Sequence, residues 1–97
     1  MIAEIDGRQI QSEVDFHVAI AQALGFASYY GNNLDALWDS LSSDVERPVL
    51  LVWSNSSLSQ AAMPTDFDRI VGVLRNAERQ DAEWGLPAEE RFKLELR

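Results

Sequence analysis

The hydrophobic positions along the chain change period several times, and each change marks an element. Met1 to Ile5 is a short apolar start closed by the turn dipeptide Asp6-Gly7, which predicts a brief first strand. Ser12, with Asp15 three positions on, predicts a helix N-cap. Phe16, Ile20, Ala23 and Leu24 then recur at helical spacing until Gly25 stops the run, so a first helix is expected over Glu13 to Leu24. Beyond the Gly25 to Gly31 connection, Asn32 or Asn33 caps a second helix, in which Leu34, Leu37, Trp38 and Leu41 fall at i, i+3, i+4 and i+7. Pro48 opens Val49-Leu50-Leu51-Val52-Trp53, a run without alternation, as expected of a central strand buried on both faces by helices.

Ser54 to Pro64 is Ser-rich and reads as irregular or only briefly helical. Thr65 or Asp66 caps a third helix that carries Phe67, Ile70, Val71, Leu74 and Ala77 on one side and is expected to end near Gln80. Asp81 to Glu90 holds Gly85 and Pro87 and reads as a loop. Phe92, Leu94 and Leu96 then alternate with Lys93, Glu95 and Arg97, which predicts a half-buried strand at a sheet edge. Strands separated by helices need crossover connections, which are nearly always right-handed. The pattern therefore predicts an α/β fold, a three-stranded parallel sheet packed with helices in the order β-α-α-β-α-β.

Length and composition bound the possibilities. The 97 residues, of which 46% are hydrophobic, fit a single domain spanning 1–97, with no internal repeat or linker. A folded chain of this mass exposes about 5,600 Å². The longest apolar run, Val49 to Trp53, is far short of the roughly 20 residues of a membrane helix, and the first residues lack the layout of a secretory signal. The chain is read as soluble and cytoplasmic. Without cysteine there is no disulfide or thiolate site, and His17 is the sole imidazole, so no metal and no cofactor is expected.

Charge narrows the function. Sixteen acidic against eight basic residues leave a net charge of −8, which repels phosphate backbones and argues against nucleic-acid binding. From Gln9 to Glu46 there is no Lys or Arg, while Glu13, Asp15, Asp35, Asp39, Asp44 and Glu46 lie in that stretch. A solvated acidic surface and a docking face for a basic partner both fit this segregation. At about 100° per residue, Asp35, Asp39 and Ser42 form a stripe beside the apolar side of the second helix, just past Trp38. Asp35 falls in the first turn, where a carboxylate interacts well with the helix dipole. Asp39 has no such local reason, and the two acids at i and i+4 repel each other. Tyr29, Tyr30 and Trp38 add aromatic side chains of the kind enriched in interface anchors, although Trp38 also fits the core.

Enzymatic readings fare worse. A carboxylate pair on one exposed helix face makes no cleft that would separate two pKa values for acid and base work. No Asp- and Asn-rich loop closed by Glu offers calcium its oxygens, and no G-x-S-x-G elbow or phosphate-binding glycine loop occurs. His17 is read as a surface or helix-packing histidine. The chain is expected not to be an enzyme.

Tyr29-Tyr30-Gly31-Asn32-Asn33-Leu34-Asp35-Ala36-Leu37-Trp38-Asp39 resembles the signature of the barstar family, intracellular inhibitors of barnase-type ribonucleases. The resemblance extends at lower similarity through Asp6-Gly7 with Ile10, His17, Leu24, Glu46 with Pro48, and Trp53. It implies a three-stranded parallel sheet with packed helices. It also implies an inhibitor that sets the second helix and the preceding loop into the active site of a basic secreted ribonuclease, one to one. Asp39 then takes the place of an RNA phosphate, with Tyr29, Asn33, Asp35, Trp38, Ser42 and Asn76 as further partner-binding residues.

The chain departs from the family pattern on its last helix, where Asn76 stands at the position of a nuclease-contacting glutamate and Gln80 replaces a further acid. Asp44 stands where the characterised inhibitor has an aromatic residue. These departures leave room for a second reading, a barstar-like interaction or toxin-immunity module with a different partner. The free protein is expected to be a monomer, because Lys93, Glu95 and Arg97 would discourage pairing along an open last strand.

Overall fold

The computed structural model, which describes residues 1–97, is built on three parallel strands, β1 (Ile2–Asp6), β2 (Val49–Ser54) and β3 (Phe92–Leu96), in the spatial order β1-β2-β3. Helices α1 (Glu13–Leu24) and α2 (Leu34–Ser43) connect β1 to β2, and α3 (Ser56–Ala62) and α4 (Pro64–Glu83) connect β2 to β3. Successive right-handed crossovers that step in one direction across a sheet place all their helices on one face. The α/β class, the parallel sheet and the expected element order hold, with α3 as the brief helix between Ser54 and Pro64.

The register explains the core. Ala3 and Ile5 of β1, Val49, Leu51 and Trp53 of β2, and Phe92 and Leu94 of β3 point to the helical side. There they meet Phe16 and Ile20 of α1, Leu37 and Leu41 of α2, and Phe67, Ile70, Leu74 and Ala77 of α4. Trp53 is fully buried at the centre, stacked on Phe16 at 5.3 Å and tilted against Phe67 at 5.1 Å. The accessible surface is 5474 Å², close to that of a folded chain of this mass.

The expectation that helices bury β2 on both faces is wrong. Leu50 and Val52 point to the uncovered face and stand outside the core cluster. Val52 is nevertheless only 2% exposed, on the central strand between Glu4 and Glu95 in the register. An apolar run in a small sheet therefore reports a central strand without reporting a second helical layer.

The reading of α4 also needs correction at both ends. It begins at Pro64, whose fixed φ and missing N–H suit the first helical position, rather than at a Thr65 or Asp66 cap. It continues past Gln80 to Glu83, so Asp81 is helical and buried rather than in a loop. Its reason for continuing is the β3 edge. The backbone N–H groups of Phe92 and Leu94 donate to Asp81 Oδ2 and Glu78 Oε2, each at 2.7 Å, while Arg75 Nη1 donates to the Leu94 carbonyl at 3.0 Å. Three residues spaced one helical turn apart thus occupy hydrogen-bonding groups along the edge of the last strand.

Both predicted caps of the first crossover are present. Ser12 accepts the Asp15 N–H, and Gly25 ends α1 in the left-handed region at φ 68°. Gly7 answers to a close approach, since a Cβ there would lie 2.0 Å from the Asn55 carbonyl oxygen.

Candidate functional site

Helix α2 is held at both ends by side-chain hydrogen bonds. At its start Asn33, not Asn32, is the cap: Asn33 Oδ1 accepts the Ala36 N–H at 2.8 Å, and Nδ2 donates to the Gly31 carbonyl at 3.2 Å. Asn32 takes a left-handed φ of 53° to bring the chain into the helix. Just before it, Tyr30 is hydrogen-bonded to the buried His17 of α1, Oη to Nδ1, at 2.7 Å. His17 Nε2 meets Glu13 Oε2 at 3.0 Å. A neutral ring protonated on Nε2 satisfies both contacts, with the Tyr30 hydroxyl donating to Nδ1. Burial, and then the Glu13 charge, push the Tyr30 phenol up, so it remains a donor.

The far end is held by Arg47. Its Nη1 donates to the carbonyls of Leu41 and Val45 at 2.7 and 2.8 Å, and its Nε and Nη2 bind the two oxygens of Asp81 on α4. A cation at the C-terminus of α2 also suits the helix dipole. Leu37 and Leu41 pack inward, which leaves Asp35 and Asp39 on the opposite side, both exposed. Neither belongs to any ion pair in the protein, nor do Asp44 and Glu46.

The two acids line an open depression of about 360 Å³ with Leu34, Trp38, Val73 and Asn76. The structure therefore brings together four of the sequence-proposed residues, Asp35, Trp38, Asp39 and Asn76, across the α2–α4 seam. Trp38 is half-buried, one side against the core and one on the depression. The other three candidates stand differently. Tyr29 is 85% exposed on the loop and outside the depression. Asn33 spends both ends of its amide on the cap. Ser42 donates its hydroxyl to the Trp38 carbonyl at 2.7 Å, one turn back.

Sequence reasoning overlooked Val73 and Arg79. Val73 precedes Asn76 by three positions on α4, so helical periodicity alone could have found it. Arg79 follows Asn76 by three and donates to its Oδ1 at 3.1 Å. Trp84, left without a role by the sequence, stands 67% exposed at the end of α4.

Chemically, the depression offers two unpaired carboxylates and an aromatic edge, and these suit a cationic partner better than a reaction. No group of three or more His, Cys, Asp and Glu side chains is placed to hold a metal ion. No helix is long and apolar enough to cross a membrane.

Comparison with known proteins places the chain in a family. Residues 1–96 match the sequence profile of the family described as Barstar (barnase inhibitor). A protein of Bacillus subtilis (strain 168) named "Putative ribonuclease inhibitor YrdF" is 36% identical over 76 residues, covering 78% of this chain and 84% of that protein.

Proposed function

The chain belongs to the Barstar family, and from that premise we propose that it is a non-catalytic inhibitor of a basic, barnase-type or related microbial ribonuclease, acting inside the cell. The observation that carries the reading is the pair Asp35 and Asp39: exposed, in no ion pair, and mounted on a helix fixed at both ends.

An active site that binds RNA phosphates presents Arg, Lys or His around an anionic hole. Asp39 supplies a carboxylate of similar charge and acceptor geometry, and guanidinium groups bind it through charge-assisted, often paired hydrogen bonds. The inhibitor thereby takes the place of the substrate without offering a bond to cleave. Preorganisation matters here, because a helix tied down by Asn33, Tyr30 and Arg47 loses little freedom on docking. The net charge of −8 and the stretch from Gln9 to Glu46 without a cation steer a basic enzyme toward this face and raise the association rate. An interface of standard size, about 800 Å² per partner, would use roughly a seventh of the surface.

The test is titration of the protein into a barnase-type ribonuclease, with RNA cleavage followed at two salt concentrations and Asp39→Ala as control. Stoichiometric, salt-weakened inhibition that Asp39→Ala removes is the expected result. No inhibition by folded protein would overturn the barnase-type assignment, and undiminished inhibition by Asp39→Ala would overturn the role of Asp39.

A further inference from the structure

The acidic depression does not end at α4. Trp38 and Asn76 also line a second depression of about 370 Å³, whose remaining walls are Arg79, Gln80, Glu83 and Trp84. Its charge is different. Arg79 makes one hydrogen bond, to the neutral Asn76 amide, and enters none of the ion pairs. Arg8, Arg47, Arg69, Arg75 and Arg97 are each paired with a carboxylate, while Arg91, which donates to the Leu86 carbonyl, and Lys93 share with Arg79 the lack of an ion pair but lie away from this depression. In a chain with twice as many acids as bases, a guanidinium left with most of its five donors facing solvent runs against composition. The large apolar surface of Trp84, uncovered beside it, does so too. Arg and Trp are the residue types enriched where interfaces concentrate their binding energy.

We propose that this second depression is the other half of the docking surface and receives a carboxylate of the ribonuclease, an Asp or Glu on the rim of its basic cleft, bound by Arg79 and packed against Trp84. The proposal rests on the inhibitor reading above. Charge complementarity and continuity select this occupant. Across Trp38 the surface passes from two free carboxylates to a depression that holds one free guanidinium and one free carboxylate, Glu83, so Arg79 is the cation on this face left to meet an anion of the partner. Glu83, four positions beyond Arg79 on the same helix, is no substitute, because it makes no ion pair with Arg79, and exposed pairs of that spacing contribute little. Asn76 aligns the guanidinium without neutralising it, which a carboxylate at that position would do.

One substitution separates this arrangement from a uniformly basic partner face. Against such a face Arg79 is repelled and Arg79→Glu tightens binding. Against a rim carboxylate Arg79→Glu places two anions together and weakens it. Affinities of a barnase-type ribonuclease for the wild type, Arg79→Ala, Arg79→Glu, Trp84→Ala and Asp39→Ala are to be measured by titration calorimetry at low salt. The expected outcome is a loss of about tenfold or more for Arg79→Glu, with smaller losses for Arg79→Ala and Trp84→Ala. Arg79, Trp84 and Asp39 are all exposed, so circular dichroism should show folding intact. If Asp39→Ala abolishes binding while Arg79→Glu leaves it unchanged or tighter, the second half of the surface is refuted and the inhibitor reading stands. If the wild type does not bind, the barnase-type assignment falls, and if Asp39→Ala is without effect, the role of Asp39 falls; this inference falls with either.

Discussion

Arg47 and Asp81, thirty-four residues apart, form a two-pronged ion pair beneath the C-terminal end of α2, with Nε to Oδ2 at 2.8 Å and Nη2 to Oδ1 at 3.0 Å. The same guanidinium holds the Leu41 and Val45 carbonyls, and the same carboxylate accepts the Phe92 N–H. One contact thus joins the docking helix, α4 and the β3 edge. Asp81→Ala leaves Arg47, whose side chain is 15% exposed, without its counter-charge and the Phe92 N–H without an acceptor. Removing one member of a buried pair costs about 3–5 kcal/mol, so urea unfolding of Asp81→Ala should show a loss of that order. A loss within about 0.5 kcal/mol, as for an ordinary surface change, would show that the pair is dispensable.

Acid should weaken the same contact. Burial pushes the Asp81 carboxyl up, but hydrogen bonds from Arg47 and from the Phe92 backbone, with the charges of Arg47 and Arg91, outweigh it and hold the group below its ordinary 3.8. A carboxyl depressed by folding adds stability that is complete above its unfolded pKa and is lost as pH falls through that value toward the folded one. The stability difference between wild type and Asp81→Asn is therefore expected to be level near neutrality and to shrink below about pH 4. A difference that stays constant on acidification would assign the stabilisation to shape rather than charge.

Neither partner of this pair was legible as such in the sequence. Asp81 is followed by Gly85 and Pro87, and an acid ahead of such residues reads as the start of a loop. Its burial depends on an arginine on another element, a relation that local periodicity does not encode. Ser12 and Gly25 were readable, and the α2 cap was narrowed to Asn32 or Asn33, because a cap acts within three residues of itself. The acidic stripe on α2 was legible for a similar reason, since helical spacing fixes which side chains share a face. What the spacing of α2 does not carry is its neighbour: Val73 reaches the depression because α4 packs beside α2, and Asn76 was expected there only through the family resemblance. The open face of the sheet was hidden likewise, since flanking strands bury Val52 as thoroughly as a helix would.

The buried His17 makes Tyr30 a test of how the loop before α2 is held. Tyr30→Phe keeps the ring and its packing on Phe26 at 4.9 Å but removes the hydroxyl, leaving Nδ1 buried without a donor. An unsatisfied buried polar atom costs about 1–3 kcal/mol, so thermal unfolding should shift by several degrees for a domain of this size. Hydrogen exchange should rise in the Gly25 to Gly31 loop and in the first turn of α2 more than in the sheet. Exchange unchanged in that loop would mean that the aromatic packing alone fixes it.

Asp39 is expected to show stability and binding moving in opposite directions. In the free protein its carboxylate sits four residues from Asp35 with no cation to offset the repulsion, and aspartate is a poorer helix former than alanine. Asp39→Ala should therefore stabilise the isolated chain by about 0.5–1 kcal/mol in denaturant unfolding. Binding should suffer instead: each hydrogen bond to a charged group contributes about 1.5–3 kcal/mol, so losing two weakens the nuclease complex on the order of a hundredfold or more. Salt separates steering from contact. The wild-type association rate should fall steeply as the screening length shortens from about 10 Å at 0.1 M salt to about 3 Å at 1 M. The mutant's rate should fall less, with most of its lost affinity appearing as faster dissociation. If Asp39→Ala instead destabilised the free chain, the carboxylate would have a structural role, and the unpaired acid would no longer mark a surface kept for a partner.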